Sequence, residues 1–266
     1  MSLVKNDSLE TINQTTKEAW VENWRSIEIE KILEIFNYPR VKKIMDIIMP
    51  YLFKEGICLE AGCGLGPYLI KISSLGYNMV GIDYQVECLR KIKEFQDKQK
   101  VLTADVRRTP FQDNIFNTYL SFGVIEHFPE GPVEALKEAY RVLRPNGKLL
   151  VFVPYYNILK RLKAPWEFLK SNKLLRGLFG KKEKMIYYQR YFKAKELEDE
   201  MKKANFVIDK TIPVDHIFSL VEFSSIFRDR HTYDGENKLA VYLGNFLEKF
   251  FPWMSAGSLL FVCHKS

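Results

Sequence analysis

A glycine-rich turn is the feature of the sequence best suited to hold a ligand. It follows a short apolar run over residues 56–60 and carries glycines at positions 62, 64 and 66. Glycine lets the chain turn tightly and brings bare backbone close to a bound molecule. A dinucleotide-binding fingerprint would place its third glycine at position 67, which is Pro67 here. The turn is therefore a different motif, and taken alone it could also be a flexible loop.

Three carboxylates follow successive apolar runs. Glu60 comes two residues before the first glycine, Asp83 ends the run 77–83, and Asp105 ends the run 101–105. Ligands of open parallel sheets bind beyond the carboxyl ends of the strands, so we expect all three side chains at one edge. Asp83 is placed to accept hydrogen bonds from both hydroxyls of a ribose, and Asp105 to accept from an exocyclic amine. Three negative charges would repel phosphate, so the predicted ligand carries hydroxyl and amino donors. Taken singly, Asp83 or Asp105 is more often a helix cap or a turn residue.

Apolar runs alternate with helical patterns around these residues. The predicted strands cover residues 56–60, 77–83, 101–105, 116–122, 148–153, 206–212 and 258–264, and the predicted helices between them cover 68–75, 87–98, 132–143 and 195–204. The first fifty residues are predicted to be helical, with a break at Pro39 and a second helix over 41–52. Strands that alternate with helices indicate an α/β fold, with a parallel sheet covered on both faces.

Five stretches of the sequence carry a specific combination of motifs. They are residues 58–66, 81–83, 104–106, 124–127 and 138–149. Together they resemble the class I S-adenosylmethionine-dependent methyltransferases, and within them the type-11 group. The resemblance implies a doubly wound, Rossmann-like sheet of seven strands whose last strand is antiparallel, with N-terminal helices and a helical lid insertion. It also implies S-adenosyl-L-methionine as the cofactor, S-adenosyl-L-homocysteine as the product, and no metal.

The resemblance implies a role for each residue of the motifs. The turn after the first strand would hold the methionine half, and Asp83 would bind the ribose. Tyr84 would flank the adenine, while Asp105 and the backbone of Val106 would meet its amine. Ser121 and Phe122 would line the methionine and the sulfonium. The cofactor-binding residues implied in this way are Glu60, Gly62, Cys63, Gly64, Gly66, Asp83, Tyr84, Asp105, Val106, Ser121 and Phe122.

His127 is the candidate catalytic residue. A methyl group on a sulfonium is already activated, so the enzyme mainly has to align the acceptor and keep water out. A hydroxyl acceptor would also need a general base, and His127 is the nearest candidate by sequence. An equally weighted interpretation is that His127 is a structural residue that opens the next loop.

The positive charge of the chain is concentrated in one segment. The 266 residues carry a formal charge of +7, and residues 157–195 alone carry +10, so the remainder sums to −3. The segment is also aromatic and has helical periodicity, which is typical of a surface that meets a membrane or an anionic ligand. The alternative is that its apolar face packs on the core while its lysines are merely solvated.

The sequence divides into four parts. We predict an N-terminal helical cap over residues 1–54, an S-adenosylmethionine-binding core over 55–154, and a basic aromatic lid over 155–194. Residues 195–266 return to the core with a helix, a strand, an aromatic helical insertion and the final strand.

Composition disfavours several classes of protein. The longest nearly apolar run, residues 149–156, is far shorter than the ~18–20 residues of a membrane-spanning helix. The N-terminus has no apolar stretch of signal-peptide length. No two of the four cysteines form the C-x-x-C pair of zinc or redox motifs. We therefore expect a cytoplasmic protein, with peripheral membrane contact through residues 157–195 left open.

The expected function is methyl transfer by direct displacement to a small-molecule, lipid or lipid-linked sugar acceptor, which the basic segment would allow to be anionic. One alternative is an RNA methyltransferase that uses the basic segment for phosphates, and another is a relative that binds the nucleoside without catalysis. A nucleic-acid acceptor is disfavoured, because residues 121–124 lack the Asn/Asp-Pro-Pro-Tyr turn of enzymes that methylate amino groups. The Pro-Cys pair of cytosine-C5 enzymes is also missing, since Tyr155 follows Pro154.

Overall fold

A seven-stranded sheet lies at the centre of the structure, a computed structural model that describes residues 9–163, 189–229 and 235–266. The strands are β1 (Cys58–Ala61), β2 (Met79–Asp83), β3 (Lys100–Thr103), β4 (Phe116–Phe122), β5 (Leu143–Pro154), β6 (Phe206–Val214) and β7 (Ser258–Lys265). Their order across the sheet is β3-β2-β1-β4-β5-β7-β6. β7 is antiparallel to β5 and β6, whereas the other pairs are parallel. The predicted α/β sheet with an antiparallel last strand is confirmed.

Helices cover both faces of the sheet. They are α1 (Leu9–Arg25), α2 (Ile29–Leu33), α3 (Pro39–Ile48), α4 (Pro67–Ser74), α5 (Val86–Phe95), α6 (Val133–Val142), α7 (Ala194–Lys203), α8 (His216–Phe223), α9 (Lys238–Phe250) and α10 (Pro252–Ser255). Short 3₁₀ helices occupy Glu34–Asn37, Met49–Tyr51, Ile125–His127 and Ser225–Phe227. Among the described helices, none has the length and apolar character needed to cross a bilayer.

Two layers of apolar side chains fix the helices to the sheet. On one face, Leu120 of β4 belongs to a core that includes Ile48 of α3. On the other face, Tyr119 of the same strand packs in a core with Leu136 of α6 and Leu197 of α7. Successive side chains of a strand point to opposite faces, so a central strand with helices on both sides is buried along most of its length.

Two boundaries differ from the sequence-based prediction. Pro39 was expected to break a helix, but it is the first residue of α3, where its missing N–H costs no hydrogen bond. β5 begins at Leu143 rather than at residue 148, because the expected turn over residues 145–147 is a bulge within the strand. Phe116 pairs with Leu143 and Thr118 pairs with Lys148, so the intervening residues are looped out of register.

The predicted lid over residues 155–194 lies largely outside the described residues, which omit 164–188. At its start, residues 158–163 are helical. Near its end, Phe192 is buried and forms an isolated bridge with Tyr155. The role of the segment as a lid stays a prediction.

A buried carboxylate on α6 ties the loop after β3 to the helix. Glu138 accepts hydrogen bonds from the backbone N–H and the hydroxyl of Thr109, at 2.7 and 2.6 Å. It also accepts from Nε and Nη2 of Arg141, at 2.9 and 2.6 Å. Arg141 donates further to the carbonyl of Phe111 at 2.8 Å. This cluster explains why the stretch 138–149 matters for the fold rather than for a ligand.

Replacement of Glu138 by alanine should lower the free energy of unfolding by about 1–3 kcal/mol, because it leaves the buried N–H and hydroxyl of Thr109 without an acceptor and removes the ion pair with Arg141. Urea unfolding followed by circular dichroism measures this loss. Glu134→Ala on the exposed side of the same helix is the matched control, with an expected change within about 0.5 kcal/mol. Equal effects of the two substitutions would contradict the assigned role of Glu138.

Candidate functional site

A cavity of about 290 Å³ opens at the carboxyl edge of the parallel strands. Its walls come from the turn after β1, the end of β2, the loop after β3, the end of β4 and helix α1. The predicted site residues that line it are Glu60, Gly62, Cys63, Gly64, Asp83, Tyr84, Asp105, Val106, Phe122 and His127. The structure therefore brings the three carboxylates, the glycine turn and the candidate base to one place.

Two predicted residues do not line the cavity. Gly66 stands at the start of α4 with a positive φ of 66°, and a Cβ atom there would lie 2.9 Å from Cδ1 of Ile92. Its lack of a side chain serves the packing of α4 against α5. Ser121 is 4% exposed and lies within β4. Both residues therefore belong to the packed framework next to the cavity and not to its lining.

The glycine turn is held in a conformation that needs glycine. Gly62 has a φ of 73°, and a Cβ atom there would lie 2.5 Å from Cγ2 of Val124. The backbone N–H groups of Gly62 and Cys63 both donate to the carbonyl of Ile82, at 2.8 and 2.9 Å. The turn is thus fixed to the end of the neighbouring strand β2.

Asp83 links the two loops that form the floor of the cavity. One carboxylate oxygen accepts from the N–H of Gly64 and the other from the N–H of Gln85, each at 2.8 Å. The side chain is almost fully buried, and this burial raises the pKa of Asp83 even though backbone hydrogen bonds act in the opposite direction. Each oxygen retains a lone pair that a hydroxyl of a ligand could use.

Glu60 is a buried carboxyl group without a full set of partners. Among the described residues, Oε2 has no hydrogen-bond partner. Burial raises the pKa of Glu60 to about 8, with the nearby charge of Asp83 adding to the shift and a backbone hydrogen bond from Leu69 reducing it. A cation or an N–H donor at this side of the cavity would stabilise the ionised form.

Asp105 lies two residues beyond the end of β3, not at its last residue as predicted, and its carboxylate is already engaged. Nη2 of Arg107 lies 2.6 Å from Oδ2, and the backbone N–H of Arg107 donates to Oδ1 at 2.9 Å. Burial acts to raise the pKa of Asp105, but hydrogen bonds from Arg107 outweigh it and hold the pKa below its ordinary value. Arg107 also pairs with Glu130. A ligand amine would share the Asp105 carboxylate with this guanidinium, which the sequence analysis did not foresee.

Helix α1 covers the cavity. Trp24 lies against the turn, with its ring 3.4 Å from the position of a Cβ on Gly64. Trp20 stacks on Trp24 at 5.3 Å between ring centroids and meets the ring of His127 edge-on at 5.1 Å. Nζ of Lys91 donates to the carbonyls of Trp24 and Arg25 at the end of α1 and to that of Ile27 just beyond it, and so fixes the helix in place. The predicted helical cap was not expected to line the site, although two tryptophans four residues apart share one helix face.

His127 follows a second buried carboxyl group. Its Nε2 lies 3.9 Å from Oε1 of Glu126, which is 2% exposed. Burial raises the pKa of Glu126 to about 8. Among the described residues, Oε2 of Glu126 has no hydrogen-bond partner. The remaining wall residues, which sequence reasoning missed, are Thr16, Lys17, Pro67, Tyr68, Gln85, Gly123, Val124 and Phe128.

The titratable side chains of the site do not form a metal centre. No group of three or more His, Cys, Asp or Glu side chains among the described residues is arranged to hold a metal ion. All four cysteines are buried as thiols.

Comparison with known proteins gives a match over the region that holds the site. Residues 59–151 match the methyltransferase domain family of type 11. A probable tRNA methyltransferase 9B of Mus musculus is 33% identical over 119 residues, which is 44% of this chain and 25% of that protein. The sterol 4-C-methyltransferase strm-1 of Caenorhabditis elegans is 28% identical over 101 residues, 36% of this chain and 30% of that protein. The chain thus spans about a quarter of the length of the first of these relatives.

Solved methyltransferase structures share the fold of this chain. The crystal structure of the 1,6-didemethyltoxoflavin-N1-methyltransferase of Burkholderia thailandensis, with S-adenosylhomocysteine bound, superimposes with a TM-score of 0.63 at 12% identity, covering 100% of this chain and 93% of that one. At this identity the likeness concerns the fold alone. The family match contains the glycine turn, the three carboxylates and His127, so residues 59–151 form a methyltransferase domain of the class I S-adenosylmethionine-dependent, type-11 group.

Proposed function

We propose that this chain transfers a methyl group from S-adenosylmethionine to a small-molecule, lipid or lipid-linked sugar acceptor. The observation that carries the proposal is the convergence of Glu60, Asp83 and Asp105 on one cavity beside the glycine turn. The predicted cytoplasmic location, the anionic character of the acceptor and the lid role of residues 155–194 remain predictions beside it.

The residues present fit S-adenosylmethionine. The donor has two ribose hydroxyls, an adenine amine, an ammonium group and a sulfonium, all of which carry hydrogen-bond donors or positive charge. The cavity offers the matching acceptors, among them the unpartnered Oε2 of Glu60. The positive φ of Gly62 and Gly64 favours glycine at both positions, so the turn borders the cavity without side chains there. When bound, the cofactor supplies a methyl group that its sulfonium has already activated.

Each carboxylate is proposed to hold one part of the cofactor. The turn after β1, with Glu60, would hold the methionine half. Asp83 would accept from the ribose hydroxyls with the lone pairs that its backbone bonds leave unused. Asp105 and the backbone of Val106 would meet the adenine, with Tyr84 alongside it.

The contribution of the protein to the reaction is alignment and exclusion of water. Trp20 and Trp24 of α1 close the cavity on the side of the turn. A hydroxyl acceptor has to lose a proton, and the imidazole of His127 in the cavity wall is proposed to take it. Direct displacement needs no covalent intermediate on the protein, so correct placement of the two reactants supplies most of the rate enhancement.

The aromatic side chains of the cavity wall favour an apolar or aromatic acceptor. They include Trp20, Tyr68, Phe122 and Phe128. One similar protein, the sterol 4-C-methyltransferase of Caenorhabditis elegans, is consistent with this class. The tRNA methyltransferase relative and the basic segment 157–195 support RNA as the second candidate.

Replacement of Asp83 by asparagine should weaken S-adenosylmethionine binding about 10- to 100-fold, because a charged acceptor of the ribose hydroxyls becomes a neutral one. Isothermal titration calorimetry measures the affinity, and a thermal melt checks the fold of the variant. Asp46→Asn on the exposed side of α3, away from the cavity, should bind as the wild type does. An unchanged affinity in the folded Asp83→Asn protein would exclude the proposed ribose contact.

Binding of S-adenosylmethionine near pH 7 should release a proton from Glu60. The pKa of Glu60 is raised to about 8 in the protein alone, so the group is mostly protonated at neutral pH. A cationic ligand lowers this pKa, and the affinity should therefore rise with pH up to about 8 and then level off. Calorimetry in two buffers with different heats of ionisation counts the protons released.

Glu60→Gln should abolish this proton release. Glu126→Gln is the matched control, since the pKa of Glu126 is also about 8 but its side chain does not line the cavity. Proton release that persists in Glu60→Gln, or that disappears in Glu126→Gln, would show that the released proton does not come from Glu60.

Incubation with methyl-labelled S-adenosylmethionine should transfer the label to lipid or small-molecule extracts, with little dependence on salt. Total RNA and total lipid are offered separately, and Asp83→Asn reports background labelling. Labelled RNA, with activity that falls steeply as salt displaces contacts to phosphate, would favour the RNA methyltransferase instead. Cofactor binding with no label in any fraction would favour a non-catalytic relative.

A further inference from the structure

Helix α9 is apolar on two opposite faces. Its inner face packs on α8, where Ala240 and Gly244 are buried. A Cβ atom on Gly244 would lie 2.5 Å from Cγ1 and 2.9 Å from Cα of Ile217, so the two helices approach too closely for anything else to enter. The inner face of α9 is therefore buried against α8 and cannot meet a partner.

The outer face of α9 carries large apolar side chains in contact with solvent. Leu239, Tyr242, Phe246 and Phe250 recur at helical spacing, and Trp253 of α10 follows them. They are 46, 71, 47, 55 and 46% exposed, respectively. We name these five residues the aromatic stripe. Isolated exposed apolar residues are ordinary, but a continuous row of this kind usually marks an interaction surface.

The aromatic stripe belongs to the same edge of the sheet as the cavity. The antiparallel register pairs Ser258, the first residue of β7, with both Pro154 and Val214. β5 and β6 therefore end where β7 begins, and α8, α9 and α10 connect β6 to β7 at this edge. The stripe thus extends from the end of the fold that holds the candidate site.

The charges around the stripe favour an anionic partner. The nearby acids are neutralised within the fold: Glu248 pairs with Lys43, and Glu222 lies 2.7 Å from Nζ of Lys160. Lys238 and Lys249, at the two ends of α9, form no ion pair with any described residue. Nζ of Lys249 lies 5.4 Å from the ring centroid of Phe250. The surface therefore combines aromatic rings with positive charge.

A shallow apolar hollow of about 200 Å³ adjoins the stripe. Ile158 and Leu159 form one side of it, and Leu247, Phe251 and Met254 form the other. Asn157 fixes this arrangement, because its Nδ2 donates to Oγ of Ser219 and to the carbonyl of Ala256, both at 2.7 Å. The first residues of the basic segment 157–195, which carries +10 in total, are thereby attached beside the stripe.

We propose that the aromatic stripe docks on the surface of a lipid bilayer that contains anionic phospholipid. Aromatic rings prefer the boundary between headgroups and acyl chains, and lysines beside them attract anionic headgroups. The other candidate occupant is a second copy of this chain. An antiparallel pairing of two α9 helices would place Lys238 of one copy near Lys249 of the other, and this like-charge contact disfavours it. The proposal does not depend on methyl transfer.

Co-sedimentation of the full chain with vesicles tests the proposal. Vesicles of phosphatidylcholine and phosphatidylglycerol in equal parts should bind the protein, and pure phosphatidylcholine should bind it much less. Phe246→Ser with Phe250→Ser should weaken binding to the mixed vesicles at least about tenfold, because two interfacial rings are removed. Phe53→Ser with Phe95→Ser is the matched control, since these rings are 39 and 40% exposed on other parts of the surface. Its binding should not change.

A second measurement needs no disruptive variant. The fluorescence of Trp253 should be quenched by brominated acyl chains in the mixed vesicles, and Trp253→Phe should remove that quenched component. Absence of vesicle binding by the wild type, equal binding by the stripe and control variants, or unquenched Trp253 would overturn the proposal. A dimer in analytical ultracentrifugation that the stripe variant dissociates would overturn it in favour of a second copy.

Discussion

The buried carboxylate of Asp83 is the constraint on which the geometry of the site depends. It binds the N–H groups of Gly64 and Gln85, and so joins the turn after β1 to the segment after β2. Because this turn follows β1 directly, it also holds Glu60, near the end of β1, beside the same cavity. A carboxylate is costly to bury, and two backbone donors, together with the two ribose hydroxyls of our proposal, compensate that cost.

The sheet and the three carboxylates could be predicted because both follow from local pattern. Glu60 and Asp83 end buried strands that lie side by side in parallel, so their side chains reach one edge without any knowledge of distant contacts. The ion pair of Arg107 with Asp105 could not be predicted in this way, because it depends on the path of a loop. The same holds for α1, whose position over the cavity is set by tertiary contacts from Lys91.

The aromatic residues after β6 show another limit of sequence pattern. Helical spacing indicates that side chains share a face, but it does not say whether that face meets the core or the solvent. On α9 both faces are apolar, and the small residues Ala240 and Gly244, rather than the large ones, face the fold. Bulky rings are therefore left exposed, and we propose that they meet a bilayer. Membrane attachment would bring the cavity close to lipid-soluble acceptors.

The central claim is that the three carboxylates surround one S-adenosylmethionine-type nucleoside. A crystal structure of the protein with S-adenosylhomocysteine tests it most directly. The account predicts both ribose hydroxyls within hydrogen-bond distance of the Asp83 carboxylate, with the adenine between Tyr84 and Val106 and the amino-acid end at the glycine turn. A nucleoside bound elsewhere, or one whose ribose makes no contact with Asp83, would contradict it.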